Sequence, residues 1–216
     1  MKRCLIVMAW AVLALPASAL HAAELPDVKI DAVLQGSGIR TLAGHDGVAA
    51  ETIWIKGDKT RVDFDAGAGR RGRILRGGDH AWLLMSTSRR ALPADHVRIG
   101  AITRLDVARP CWDLGFACAA VESRRIAGRP AHGWRYRHAG HAGPGGSDSG
   151  VFWIDAEYGL LLAFEAKDSA GQTHRMEATA VGFAKIPDDT FAMPESLRMD
   201  VKKANSRADR LRRYAQ

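Results

Sequence analysis

The sequence predicts a mainly β protein, an antiparallel sheet of meander or barrel type with one or a few short helices, and three observations carry that expectation. Short runs of alternating apolar and polar residues recur along the chain, separated by Gly-containing reversals, which is the pattern of successive hairpins. Only one internal segment, residues 94–107, has helical spacing, with Ile99, Ile102 and Leu105 three apart. Strands and helices do not alternate along the chain, which excludes an α/β enzyme fold with a parallel sheet.

The chain has 216 residues, and its first part reads as a secretory leader. Lys2 and Arg3 precede an apolar run over 5–15, followed by small residues at 17–19 and 20–22 where cleavage is expected. The run is shorter than the roughly 20 residues that span a bilayer. Cys4 precedes the run, which is the wrong side for a lipidated N-terminus. The expected organisation is a signal peptide at 1–22, one domain at 23–197, and a basic tail at 198–216, helical or frayed. The product is expected in the periplasm, soluble after signal-peptide cleavage. The formal charge of +7 falls to +5 without Lys2 and Arg3. Tail cations such as Lys202, Lys203, Arg210 and Arg213 hold much of the rest, so the domain is close to neutral and no nucleic-acid partner is expected. The tail reads as a solvated face, or as one that touches an anionic membrane surface.

In chain order, alternation predicts a first strand at 28–34 and a Gly-punctuated connection through Gly47. Gly57-Asp58 then forms a two-residue hairpin loop, which fixes the register: Ile53 opposite Val62, Trp54 opposite Arg61, and Thr52 opposite Asp63. Ile53, Ile55, Val62 and Phe64 therefore share one face, while Trp54 on the other can lie under the Arg61 guanidinium. A second hairpin with its tip at 77–80 puts Ile74, Leu83 and Met85 on one face and Leu75, Trp82 and Leu84 on the other. A hairpin apolar on both sides must be covered on both, or must line a groove for something apolar. The helix at 94–107 ends at Pro110. Further strands are expected at 119–125, 132–138, 151–155, 160–167 and 173–183, with a loose Gly-rich segment at 139–150 and a turn at 186–191.

Candidate chemistry is sparse. Cys111 and Cys118 flank WDLGFA, and in an exported protein this spacing predicts a structural disulfide rather than a redox pair. Asp63 and Asp65 fall on one strand face beside Lys56, Lys59 and Arg61, which predicts charge pairing rather than a metal site. His132, His138 and His141 are the only clustered imidazoles; His138 and His141 flank a Gly-rich loop but have no third ligand close in sequence, so no metal and no cofactor is expected. The sequence has no nucleophile elbow and no phosphate loop. No catalytic residue is assigned, and a non-enzyme is expected.

Three blocks, TIWIKGDKTRVDF with ILRGGDHAWLLMSTSRRAL, CAAVESRRIAGRPAHGWRYR, and FWIDAEYGLLLAFEAKDSAGQTHRMEATAVGFAKIPDDTFAMP, occur in the order found in LolA-like periplasmic proteins and resemble that superfamily. The resemblance implies an unclosed antiparallel half β-barrel whose concave face shelters acyl chains. It makes Ile53, Ile55, Val62, Phe64, Leu75, Trp82 and Leu84 the candidates for an apolar lining. The chain has little helical periodicity before its long strands and no further lid helices, so it looks like an exported relative rather than a true lipoprotein carrier. The reading that follows is a non-enzymatic periplasmic protein that binds a lipid or a lipoprotein acyl chain, in envelope lipid or lipoprotein handling. An envelope protein-interaction or stress-sensing module on the same scaffold is the alternative, and a metal-dependent hydrolase built on the three histidines is a third reading.

Overall fold

The computed structural model describes residues 25–40, 46–65, 69–78, 80–88, 90–94, 104–195 and 197. The expected leader at 1–22, the tail at 198–216 and residues 95–103 of the expected helix lie outside them. Eleven strands form one antiparallel sheet: β1 (Val28–Arg40), β2 (Asp46–Lys56), β3 (Lys59–Asp65), β4 (Arg71–Gly77), β5 (His80–Met85), β6 (Ala91–Pro93), β7 (Cys118–Ile126), β8 (Arg129–Tyr136), β9 (Ser149–Asp155), β10 (Leu161–Lys167) and β11 (Thr173–Phe183). One meander runs outward from β1 to β6, and a second runs inward from β7 to β11. They join where β1 pairs with β11, so β6 and β7 are the two edges of an unclosed half-barrel.

The hairpin registers are those the turn residues dictate. Ile53 lies opposite Val62, Trp54 opposite Arg61, and Thr52 opposite Asp63. Ile74 lies opposite Leu83 and Leu75 opposite Trp82. Gly57 and Gly78 both adopt positive φ, 55° and 58°, a conformation that tight hairpin loops need and that glycine takes without strain. Because every strand in this half pairs with its sequence neighbour, one row crosses seven strands: Val181, Ile30, Ile53, Val62, Ile74, Leu83 and Leu92. Successive side chains alternate faces, so this row and its neighbours two residues along define an inner face.

The inner face is the core. Val28, Ile30, Ile53, Ile55 and Val62 cluster with Leu160 and Leu162, and none of the seven is more than 1% exposed. A second cluster unites Tyr136, Phe152, Ile154, Phe164 and Met176 with Leu105, Cys111 and Leu114. The last two come from α1 (Pro110–Leu114), a single turn that lies over the second meander. Cys111 and Cys118 form the expected disulfide.

Two local features differ from the sequence reading. Residues 104–107 are not helical: Arg104 bridges Leu160 and the Leu105 N–H donates to the Gly159 carbonyl at 2.9 Å. This long-range pairing overrides the three-residue spacing. Pro110 starts a helical turn rather than ending one, as proline at a first helical position does, and Gly115 with φ 78° closes it. The β9–β10 turn is organised by Asp155, fully buried, which accepts from the N–H groups of Glu157 and Tyr158 and pairs with Arg129.

Ile53→Ala removes a side chain that is 1% exposed in the core cluster, and we expect it to cost about 2–5 kcal/mol, read from the urea midpoint. Reducing the Cys111–Cys118 bond releases a short loop, for which the chain-entropy relation gives about 2.5 kcal/mol. The same melt with and without reductant measures it.

Candidate functional site

The seven apolar-lining candidates divide between the two faces of the first meander. Ile53, Ile55, Val62 and Phe64 lie on the inner face, and Leu75, Trp82 and Leu84 on the outer. Ile53, Ile55 and Val62 are sealed in the core cluster. Phe64 and Leu84 line a cleft of about 550 Å³ with Met85 and Leu197. Leu75 and Trp82 line a smaller one of about 300 Å³ with Phe191 and Met193.

The outer face is covered by the chain's own return. After β11 the chain crosses β2 and β3 as a strap. The Ile186 N–H donates to Asp27 Oδ2 at 2.8 Å, and Lys56 Nζ donates to the Ile186 carbonyl at 2.8 Å. Asp188 pairs with Lys59 at 2.8 Å and Lys56 at 3.4 Å, whose hydrogen bonds and charges hold its carboxyl below the usual carboxylate range. Arg61 Nη1 donates to the Thr190 carbonyl at 3.0 Å while its guanidinium lies over Trp54, 4.6 Å from the ring centre. Phe191, Met193 and Leu197 are thereby brought to the apolar outer side of β4 and β5.

The rim of the 550 Å³ cleft is charged and paired. Asp63 takes hydrogen bonds from Arg61 (2.9 Å) and Arg73 (2.7 Å), and Asp65 takes one from Arg71 (2.7 Å). Burial pushes the Asp63 carboxyl up, but the two arginines outweigh it and hold it below its ordinary value. The Asp-x-Asp pair is thus committed to charge pairing as expected, but with Arg71 and Arg73 beside Arg61, while Lys56 and Lys59 pair with Asp188. Phe64 turns its ring across Gly72, where any Cβ would collide with it.

Glu51 was missed by the sequence reading. It stands in the inner-face row Ala178, Ala32, Glu51, Phe64, Gly72, Met85, the one carboxylate among small or apolar neighbours. Burial alone pushes it up from 4.5 to about 7. The signal was available: an acidic residue two before Ile53 shares its face. A third cleft, about 680 Å³, opens where β1 and β2 pass the ends of β9 to β11, with Val48, Lys167, His174 and Arg175 in its walls.

The histidines do not converge. His132 Nδ1 lies 3.3 Å from Ser123 Oγ, and His141 Nδ1 lies 3.2 Å from the Gly146 carbonyl. No group of three or more His, Cys, Asp or Glu capable of holding a metal occurs among the described residues. Nor is any helix among them long and apolar enough to cross a membrane.

The structure therefore defines an open antiparallel half-barrel, filled on its inner face and strapped on its outer face. No known family model and no curated protein matches the sequence. Solved structures do. One is an uncharacterized conserved protein from Thermus thermophilus, with a TM-score of 0.52 and 10% identity over 79% of this chain and 86% of that one. Another is MucB of Pseudomonas aeruginosa in its complex with MucA, with a TM-score of 0.46 and 16% identity over 80% of this chain and 57% of that one. A LolA superfamily protein from Nitrosomonas europaea has a TM-score of 0.39 and 10% identity over 78% of this chain and 90% of that one. LolA superfamily proteins are thus among its structural neighbours, and at these identities what is shared is the fold.

Glu51 gives a pH dependence of definite sign. Its folded carboxyl binds protons more tightly than the unfolded one, so its contribution is fully present below the unfolded value and is lost as pH rises through about 7. The side chain keeps a partial opening to solvent, which weakens the effect. Glu51→Gln should raise stability by about 1–2 kcal/mol near pH 8 and by much less near pH 5, read from urea midpoints at the two values.

Proposed function

We propose that this is a non-enzymatic protein of the bacterial envelope that holds a lipid or acyl chain against the β3–β5 part of the half-barrel. One observation carries the reading: the cleft of about 550 Å³ walled by Phe64, Leu84, Met85 and Leu197 and rimmed by arginine–carboxylate pairs. Its volume is in the range of about 300–1,000 Å³ usual for small-molecule sites, and apolar side chains from Phe64, Leu84, Met85 and Leu197 beside charged Asp63, Asp65, Arg71 and Arg73 suit an amphiphile. In this reading Phe64 and Leu84 touch the chain, Leu75 and Trp82 back the adjoining strap cleft, and Ile53, Ile55 and Val62 form the rigid wall behind. The Cys111–Cys118 disulfide fits an oxidising compartment, and the resemblance to LolA-like proteins fits lipid handling. No side chain is given a role as acid, base or nucleophile.

Titration with a fluorescent long-chain fatty acid tests the proposal. Saturable uptake by the delipidated protein is expected, falling at least about tenfold, or ~1.4 kcal/mol, in Leu84→Arg. Leu84 is half-buried, so the variant should melt close to the wild type. A wild type that takes up no fatty acid and carries no co-purified lipid by native mass spectrometry would overturn it.

A further inference from the structure

The two edges of the open sheet are protected to different degrees. β6 is only three residues long, which is itself a safeguard against unwanted pairing. β7 has nine residues and divides into two halves. Its second half is blunted: the register shifts between Val121 and Arg124, and the Glu122 carbonyl accepts the Trp153 indole N–H at 3.1 Å. Arg124 folds back over Trp153, 3.9 Å from the ring centre, and reaches Glu177 at 3.4 Å. The first half, residues 118–121, pairs regularly with Tyr136, Arg135, Trp134 and Gly133 on one side. Its other side is the end of the sheet. Ala119 and Ala120 are exposed, and this half carries neither a charge nor a proline.

Trp112 stands beside that open half. At 77% exposure it is the most exposed large apolar residue described. It is nevertheless rigidly presented, because Cys111 and Leu114 of the same turn are buried and the disulfide ties Cys111 to Cys118, with 6.0 Å between their Cα atoms. Its ring has a single aromatic or cationic neighbour among the described residues, Arg109 at 5.8 Å. An indole held in place but left in water loses little entropy on binding, which is what makes tryptophan a frequent anchor of interfaces.

Charge selects the partner. Arg135, opposite Ala119, and Arg137 are exposed and make no ion pair among the described residues. The Arg109 guanidinium makes one long ion pair among the described residues, 3.9 Å to Asp106. Glu122 lies past the point where the register breaks. A second copy of this chain paired edge to edge would bring these arginines against their equivalents. We propose that residues 118–121 and Trp112 form a docking site for an extended, acidic segment of a partner protein, which adds to β7 as a further strand. Backbone hydrogen bonds supply the pairing, the arginines attract its carboxylates, and Trp112 packs against one of its apolar side chains.

The probe is a fluorescein-labelled peptide of alternating Glu and Val, with an alternating Lys and Val peptide as its counterpart, in fluorescence anisotropy titrations of the full chain. The Glu–Val peptide should bind saturably and the Lys–Val peptide at least tenfold more weakly. Trp112→Ala and Arg135→Glu should each weaken the Glu–Val peptide at least fivefold while fatty-acid uptake stays unchanged. Two versions of the peptide, N-methylated at alternate residues in opposite phase, separate strand addition from simple charge attraction. One phase should lose binding and the other keep it. Equal binding of both phases, or unchanged affinity in both variants, would overturn the proposal. So would concentration-dependent dimerisation, or binding to phosphatidylglycerol vesicles, that Trp112→Ala abolishes while no peptide binds.

Discussion

The constraint on which the rest depends is the register of the first meander. In a sheet built from nearest-neighbour hairpins, each loop transmits its parity to the next strand, so the tight turn at Gly57 sets the facing of β3 against β2 and the one at Gly78 that of β5 against β4. A slip of one residue at the Gly57 loop would send Ile53 or Val62 to solvent and bring Trp54 or Arg61 inward, and one at the Gly78 loop would exchange Leu83 with its neighbours in the same way. The seven-strand row from Val181 to Leu92 is the product of that parity, and the burial of Ile30, Ile53 and Val62 at its centre makes a slip there costly. At the β1–β11 seam an extra residue, Thr179, falls between the pairs Asp31–Ala180 and Ala32–Ala178 and resets the alternation of β11; its hydroxyl donates to the Asp31 carbonyl at 3.0 Å.

The same parity leaves a surplus that the sheet cannot absorb. The outer row Lys29, Trp54, Arg61, Leu75, Trp82, Pro93 changes from polar to apolar as it moves outward from the centre. Arg61 of this row, with Lys56 and Lys59 on the same face, binds the strap, and its apolar members Leu75 and Trp82 receive Phe191 and Met193. One surface thus serves as both clamp and seat. The clefts on either side of the strap are what remains of the outer apolar surface once the chain has covered it.

Much of this was legible in the sequence because hairpin register is local. The pairs around Gly57 and Gly78, the closing strands and the Cys111–Cys118 bond follow from turn chemistry and short spacings. The seats of Phe191 and Met193 were not legible, because the strap meets β2 and β3 about 130 residues away in sequence and nothing in its composition names its partner. Residues 104–107 failed for the same reason: a bridge to Leu160 won over local periodicity. Trp112 was readable as part of a small disulfide loop, but its exposure depends on Cys111 and Leu114 taking the core positions of that turn. Glu51 was readable from parity alone and shows how a face assigned by its apolar members conceals a polar one.

The order in which these elements yield follows from what holds each. The sheet is held by continuous backbone ladders and by apolar side chains with almost no exposure, and opening it anywhere between β3 and β10 would expose that core. The strap is held by two side-chain bonds to its carbonyls, one to its N–H, and ion pairs of Asp188 that lie in solvent and therefore contribute little. The strap is the weaker layer, and local opening begins where few apolar contacts and exposed hydrogen bonds coincide. Displacing it uncovers Leu75 and Trp82 without disturbing Ile53 or Val62 behind them. Leu75, Trp82 and Leu84 thus lie on the opposite face of the same two hairpins from Ile53 and Val62, and of the inner-face candidates Phe64 reaches the cleft.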